Sequence, residues 1–171
     1  DTILKNIAFG IEDKLIDITD SKKLSPLKRE KLSQVISEVA LICEIGFSSA
    51  KEIDDIGIVN ATKLAMRRAL EKSVISPEYL LVDALDLSEL KIPCDAIIKG
   101  DMISTTIAAA SIIAKVERDF LMTEFNDVYP NYKFDSNKGY GTKIHIEALK
   151  EHGASSIHRK SFAPIYNLHR N

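Results

Sequence analysis

From about Ser104 to Phe125 the chain is apolar on nearly every side of a helical projection, with Ile107, Ile112, Ile113, Val116, Phe120 and Leu121 spread around the axis. A helix greasy all round belongs at the centre of a core, with other layers packed against it. Its Ala108–Ala110 run keeps the side chains small, so a sheet can approach closely. Immediately before it stands Lys99-Gly100-Asp101, an acid after a Lys-Gly turn at the mouth of the helix. The positive end of a helix dipole tolerates an anion there.

Around this segment, helical and strand-like stretches alternate. Ser25-Pro26 is a helix start, a capping hydroxyl followed by proline at the first helical position, and predicts a helix over roughly 26–40. Residues 41–48 alternate as a strand. Ser49-Ala50-Lys51-Glu52 is a capping box opening a helix to about Lys72, with Ile56, Val59, Met66 and Leu70 on its expected core face. After the Ser76-Pro77 break, Tyr79–Asp83 reads as a buried strand ending in an acid, and Asp95–Lys99 as another short strand. Thr142 caps a short helix that Gly153 ends, and the tail from Ala154 has no regular pattern. Residues 1–18 show no clear period. The alternation predicts an α/β class with helices against a sheet.

Length and composition suit one domain over 1–171, with 45% hydrophobic and 28% charged residues. The net charge of -2 argues neither for nor against nucleic acid. Residues 131–171, however, hold seven Lys/Arg against three Asp/Glu, and all four histidines. Such a stretch suits an anionic partner, and suits a solvated surface equally well on charge alone. Two isolated cysteines, Cys43 and Cys94, suggest a reducing compartment, with Cys43 a buried free thiol in a strand-like run. No signal peptide is visible, and the longest nearly apolar run, 103–114, is far short of a membrane span. The expectation is a cytoplasmic protein.

Two acids stand out. Asp83 ends a buried strand, where α/β sheets place their sites, and Asp101 precedes the central helix. Two carboxylates converging there would need a cation, and oxygen ligands favour Mg²⁺ or Mn²⁺ over zinc. On spacing alone each acid is also a plain turn or cap residue. Tyr140 lies in the tight turn Gly139–Thr142 between Lys138 and Lys143, an arrangement that suits stacking on a base or sugar, or simply a turn. Lys22 and Lys23, just ahead of a helix, and Arg159 and Lys160, in a polar loop, are candidate phosphate grips against the reading of solvated charge.

Taken together, these segments resemble ribonuclease HII, the type 2 ribonuclease H family. Asp20-Ser21-Lys22-Lys23-Leu24-Ser25 is similar to its Asp-Ser-Lys-Lys-Leu segment, and 53–58 with 65–69 to the following helix. Leu81-Val82-Asp83, Lys99-Gly100-Asp101 with the 104–119 pattern, Lys138–Thr142 and His158–Phe162 match later signatures, in the family's order to about Pro164. The resemblance implies an RNase H-like fold, a central mixed sheet flanked by helices with a helical C-terminal extension, of which 131–171 would be the basic substrate-binding part. It implies an endonuclease acting on RNA–DNA hybrids and on single ribonucleotides embedded in duplex DNA; a monomer is expected. Mn²⁺ or Mg²⁺ would activate water and leave a 3′-hydroxyl and a 5′-phosphate. By the motif match Asp83 and Asp101 would be catalytic metal-binding acids. Tyr140 would pack on the sugar at the RNA–DNA junction, and Lys22, Lys23, Arg159 and Lys160 would hold phosphates.

Two departures accompany the resemblance. Ala84 stands where the family usually has glycine. The family's opening Asp-Glu-Ala-Gly-Arg-Gly strand, which supplies two further acids, has no counterpart. Gly10-Ile11-Glu12-Asp13 lacks the Gly-Arg-Gly and lies too close to Asp20 to take that role. Residues 1–19 are therefore expected to follow the family's second strand, with the first hairpin absent. Two readings follow: a truncated sequence of an active enzyme, or a non-catalytic nucleic-acid-binding remnant. For the 171 residues as they stand, little or no cleavage is expected.

Overall fold

A computed structural model describes residues 2–9, 18 and 21–168, with backbone alone for 2–9 and 168. The order is β1 (Thr2–Phe9), α1 (Pro26–Val39), β2 (Ala40–Ser48), α2 (Ala50–Lys72), β3 (Leu80–Asp83) and β4 (Cys94–Ile97). Then come α3 (Gly100–Ile103), α4 (Thr105–Val128), α5 (Phe134–Asn137), α6 (Lys143–His152) and α7 (Ile165–Leu168). The expected α/β fold is present. Its strands form one antiparallel pair, β1 with β2, and one parallel pair, β3 with β4, and among the described residues no ladder joins the two.

The helix starts follow their local chemistry. The Ser25 side chain accepts from Lys28 N–H ahead of Pro26, and the Thr142 side chain accepts from His145 N–H. Ser49 and Glu52 close a reciprocal capping box, and Arg68 clasps Glu52 from four turns away. That guanidinium, together with the Ser49 backbone N–H, pulls the Glu52 carboxyl down to about 2. The first residues, which show no period in sequence, form an eight-residue strand on β2.

Helix α2 does not bury the face expected of it. Gly57 has φ 78° and breaks the helix, leaving Ile56 and Val59 exposed. The buried stripe is Ile53, Ala61, Ala65 and Ala69. The reason lies across the interface. A Cβ on Gly46 of β2 would meet the Ala65 carbonyl at 1.8 Å, so backbone lies on backbone and only small side chains fit. Met66 and Leu70, from the expected face, pack partly buried against Leu80, Val82 and Leu87 near the parallel pair.

Helix α4 is central, but only its first half is fully enclosed. Ala109, Ile112 and Ile113 pack with Leu24, Leu32 and Ile36 of the α1 region. Further along, Phe120 is 61% exposed, because the second half is covered on one side alone. There Met122 meets Tyr132, Phe134, Leu149 and Ile165, which fixes residues 130–165 onto the end of α4. Ile165–Leu168 forms a short helix in the tail that lacked a sequence pattern. Cys43 and Cys94 are half-buried free thiols. No helix among the described residues is long and apolar enough to cross a membrane.

Candidate active site

Strand β3 runs parallel to β4, pairing Asp83 with Ile97, so Asp83 emerges at the same end as the Lys99-Gly100-Asp101 turn. The chain turns sharply there: Lys99 is in the left-handed region, and Gly100 is buried against Ile107, whose Cδ1 lies 2.5 Å from where a Cβ would stand. With no side chain in the way, Gly100 N–H donates to Asp83 Oδ1 at 2.9 Å. This bond ties one acid to the residue directly before the other. Asp101 is 8% exposed and Asp83 is open to solvent. Asp101 does not stand at the mouth of the long helix, as expected. It lies in the separate four-residue turn α3, and Ser104 caps α4 behind it.

Lys22 reaches this point from the other side, its Nζ 3.6 Å from Asp101 Oδ2. Its position is set by Arg29, a buried guanidinium that donates to the Ser21 and Leu24 carbonyls and so fixes the turn bearing Lys22 and Lys23. Arg29 also lies 3.8 Å from Asp119, and Asp119 takes Lys115 and Arg118 as well. Those two cations lie over the Tyr140 ring, at 5.3 and 5.0 Å from its centroid. A series of contacts therefore leads from the Asp101–Lys22 pair, through the backbone turn that Arg29 holds, to Asp119 and on to Tyr140. In sequence, Lys115, Arg118 and Asp119 are part of the 104–119 stretch with no role given to them, and Arg29 gives no signal at all. No periodic or motif signal announces an ion pair between two helices.

Tyr140 is 57% exposed, its backbone in a turn after Gly139 at φ 78°. Behind it lies a pocket of about 420 Å³ walled in part by Arg118, Met122, His145, His158, Arg159 and Phe162. Arg159 stacks on Phe162 with 4.0 Å to the ring centroid. Burial, then the neighbouring Arg118, lowers the Arg159 pKa, a sign that two guanidiniums share this side of the molecule. The loop that follows is held by Asp54, which accepts from Lys160 N–H at 2.8 Å and from Ser161 N–H at 2.9 Å. Burial raises the Asp54 pKa, but these bonds outweigh it and hold the carboxyl below its usual range. The Lys160 side chain faces solvent. Asp20, Glu12, Asp13 and His169 lie outside the described residues.

The pair Asp83–Asp101 offers hard carboxylate oxygens at one rim, and the buried acid already has a cationic nitrogen beside it. This chemistry fits Mg²⁺ or Mn²⁺, which take one or two carboxylates and complete their shell with water and substrate oxygens. Among the described residues no third acid, histidine or cysteine joins them.

The family model described as Ribonuclease HII matches residues 11–165. Ribonuclease HII of Desulfitobacterium hafniense (strain DSM 10664 / DCB-2) is 55% identical over 86% of this chain and 57% of its own length. That of Clostridioides difficile is 48% identical over 91% of this chain and 61% of its own, and that of Thermotoga maritima 48% over 94% and 67%. The chain thus spans about three fifths of the curated relatives it matches. Ribonuclease H2 from Pyrococcus horikoshii has a TM-score of 0.75 at 22% identity, over 98% of this chain and 97% of that one. RNase HII from Archaeoglobus fulgidus, solved in complex with PCNA, has a TM-score of 0.79 at 26% identity, over 99% and 89%. By sequence match and by fold, the chain belongs to the ribonuclease HII family.

Proposed function

We propose that the protein is a divalent-metal-dependent endonuclease. It cuts RNA in RNA–DNA hybrids and at single ribonucleotides embedded in duplex DNA, leaving a 3′-hydroxyl and a 5′-phosphate. The observation that carries this reading is the Gly100 N–H to Asp83 bond, which ties Asp83 to the residue directly before Asp101. Asp83 and Asp101 would hold the Mg²⁺ or Mn²⁺. When bound, such an ion polarises a phosphate oxygen and lowers the pKa of a water. Lys22 neutralises Asp101 and is placed to meet the scissile strand's phosphates. Lys23, Arg159 and Lys160 add sequence-independent grip. Tyr140, half out of the surface and backed by two cations, offers its ring to the sugar at the junction, where the 2′-hydroxyl distinguishes RNA.

The test is cleavage of a DNA duplex bearing one ribonucleotide, in Mn²⁺. Asp101→Asn should abolish cutting while leaving duplex binding intact. Full activity in that variant would overturn the site. For the 171 residues as they stand, weak or absent cleavage is expected. Binding without cleavage in every form of the protein would favour the remnant reading.

A further inference from the structure

His145 and His158 are both buried, at 4% and 8% exposure, and their Nε2 atoms lie 3.1 Å apart. Each ring's other nitrogen meets a backbone group whose role is fixed. His158 Nδ1 faces Ser155 N–H at 3.0 Å, and a backbone N–H can only donate. His145 Nδ1 lies 2.9 Å from the Tyr140 carbonyl, which can only accept. One proton arrangement satisfies all of these contacts. Ser155 N–H donates to His158 Nδ1, His158 Nε2–H donates to His145 Nε2, and His145 Nδ1–H donates to the Tyr140 oxygen. Ser155 Oγ also lies 2.7 Å from His158 Nδ1, at the same end. A further proton on His158 Nδ1 would face the Ser155 N–H, and one on His145 Nε2 would face the His158 N–H. The pair is therefore neutral and directional.

The strut ends on the residue that faces solvent. The Tyr140 carbonyl also takes Thr142 N–H, and Tyr140 N–H donates to Asn137, so the turn is pinned from three sides. Tyr132 and Phe134, stacked on each other, enclose both imidazoles with ring centroids 4.9 Å from His158 and 5.4 Å from His145.

We propose that His145 and His158 are positioning residues that hold Tyr140 in its substrate-facing pose through this one-way chain of hydrogen bonds. The functional half rests on the proposed contact of Tyr140 with the nucleic acid; the strut itself does not. Long-range ¹H–¹⁵N spectra of the imidazoles test the strut directly. At pH 7, His145 should be the neutral Nδ1–H tautomer and His158 the neutral Nε2–H tautomer. Either ring in the opposite tautomer, or charged, would overturn the proposal.

Binding of a duplex with one embedded ribonucleotide, followed by fluorescence anisotropy, tests the positioning. His145→Phe should weaken binding about tenfold, in the range that one lost stacking contact supplies. His145→Asn, whose amide N–H overlays Nδ1–H, should recover most of that. In a Tyr140→Ala background His145→Phe should cost nothing further. A full additional loss there would mean a merely structural role. No effect of Tyr140→Ala alone would remove the substrate role of Tyr140 and the positioning with it, while the spectra would still decide the strut. If His145→Phe does not fold, the tautomers of the unmodified protein remain decisive.

Discussion

Ala84 has φ 57°, a region where an L side chain crowds the following carbonyl. Its N–H donates to Ile97, closing the β3–β4 pair just past Asp83. The glycine usual at this place in the family now has a physical reason. Ala84→Gly should relieve the strain and, after the entropy cost of glycine, raise stability by up to about 1 kcal/mol, a Tm gain of about 2–4 °C by calorimetry. His158 carries a pH signature. Burial, then His145, lowers it to about 4 from 6.5. Protons thus favour the unfolded chain between those values: the His158 contribution is complete above pH 6.5 and is lost progressively toward pH 4. Around it stand Tyr132, His152 beyond that ring, and the cations Arg118 and Arg159, which line the same pocket. Urea midpoints between pH 7 and 5 should fall less steeply in His158→Phe than in the unmodified protein; equal slopes would contradict this. Asp83 and Asp101 were legible in sequence because strand ends and Lys-Gly turns are local. Of the cations around Asp119, Lys115 and Arg118 are neighbours on its own helix, whereas Arg29 joins it only on folding.

At the scale of elements, what was legible was again what is local. Ser25-Pro26, Ser49 with Glu52, and Thr142 each announce a helix start within four residues, and each caps as read. The face of α2 was misread because it depends on Gly46, in another element. There a methyl group would fall onto the Ala65 carbonyl. Gly46→Ala should force α2 off the sheet and cost about 3 kcal/mol, measured by denaturant unfolding. A loss under about 0.5 kcal/mol would show that the two backbones are not in contact. The exposure of Phe120 has the same origin, since periodicity reports which side of a helix is apolar but not how far along it the neighbouring layer extends.

At the scale of the whole molecule, two groups of cations flank the candidate site, and Asp119 bridges Arg29, beneath the first, to Arg118 of the second. Lys22 with Lys23 lies by the acids, and Arg118 with Arg159 lies around Tyr140. If both groups meet one duplex, Lys22→Ala should lower the slope of log binding constant against log salt by roughly one, without altering the preference for ribonucleotide. An unchanged slope would place Lys22 off the phosphate track. A different consequence follows from the strand ladders. Eight of the nine residues of β2 pair with β1 and the strand is backed by α2, whereas β3 and β4 share a four-residue ladder of their own. With few bonds to break, the shorter ladder opens by itself at little cost, as a separate cooperative unit. Amide hydrogens of β3 and β4 should therefore exchange with solvent faster than those of β2. Because Asp83 rides on that looser unit, a ligand that bridges it to Asp101 should reveal itself first as slowed exchange there.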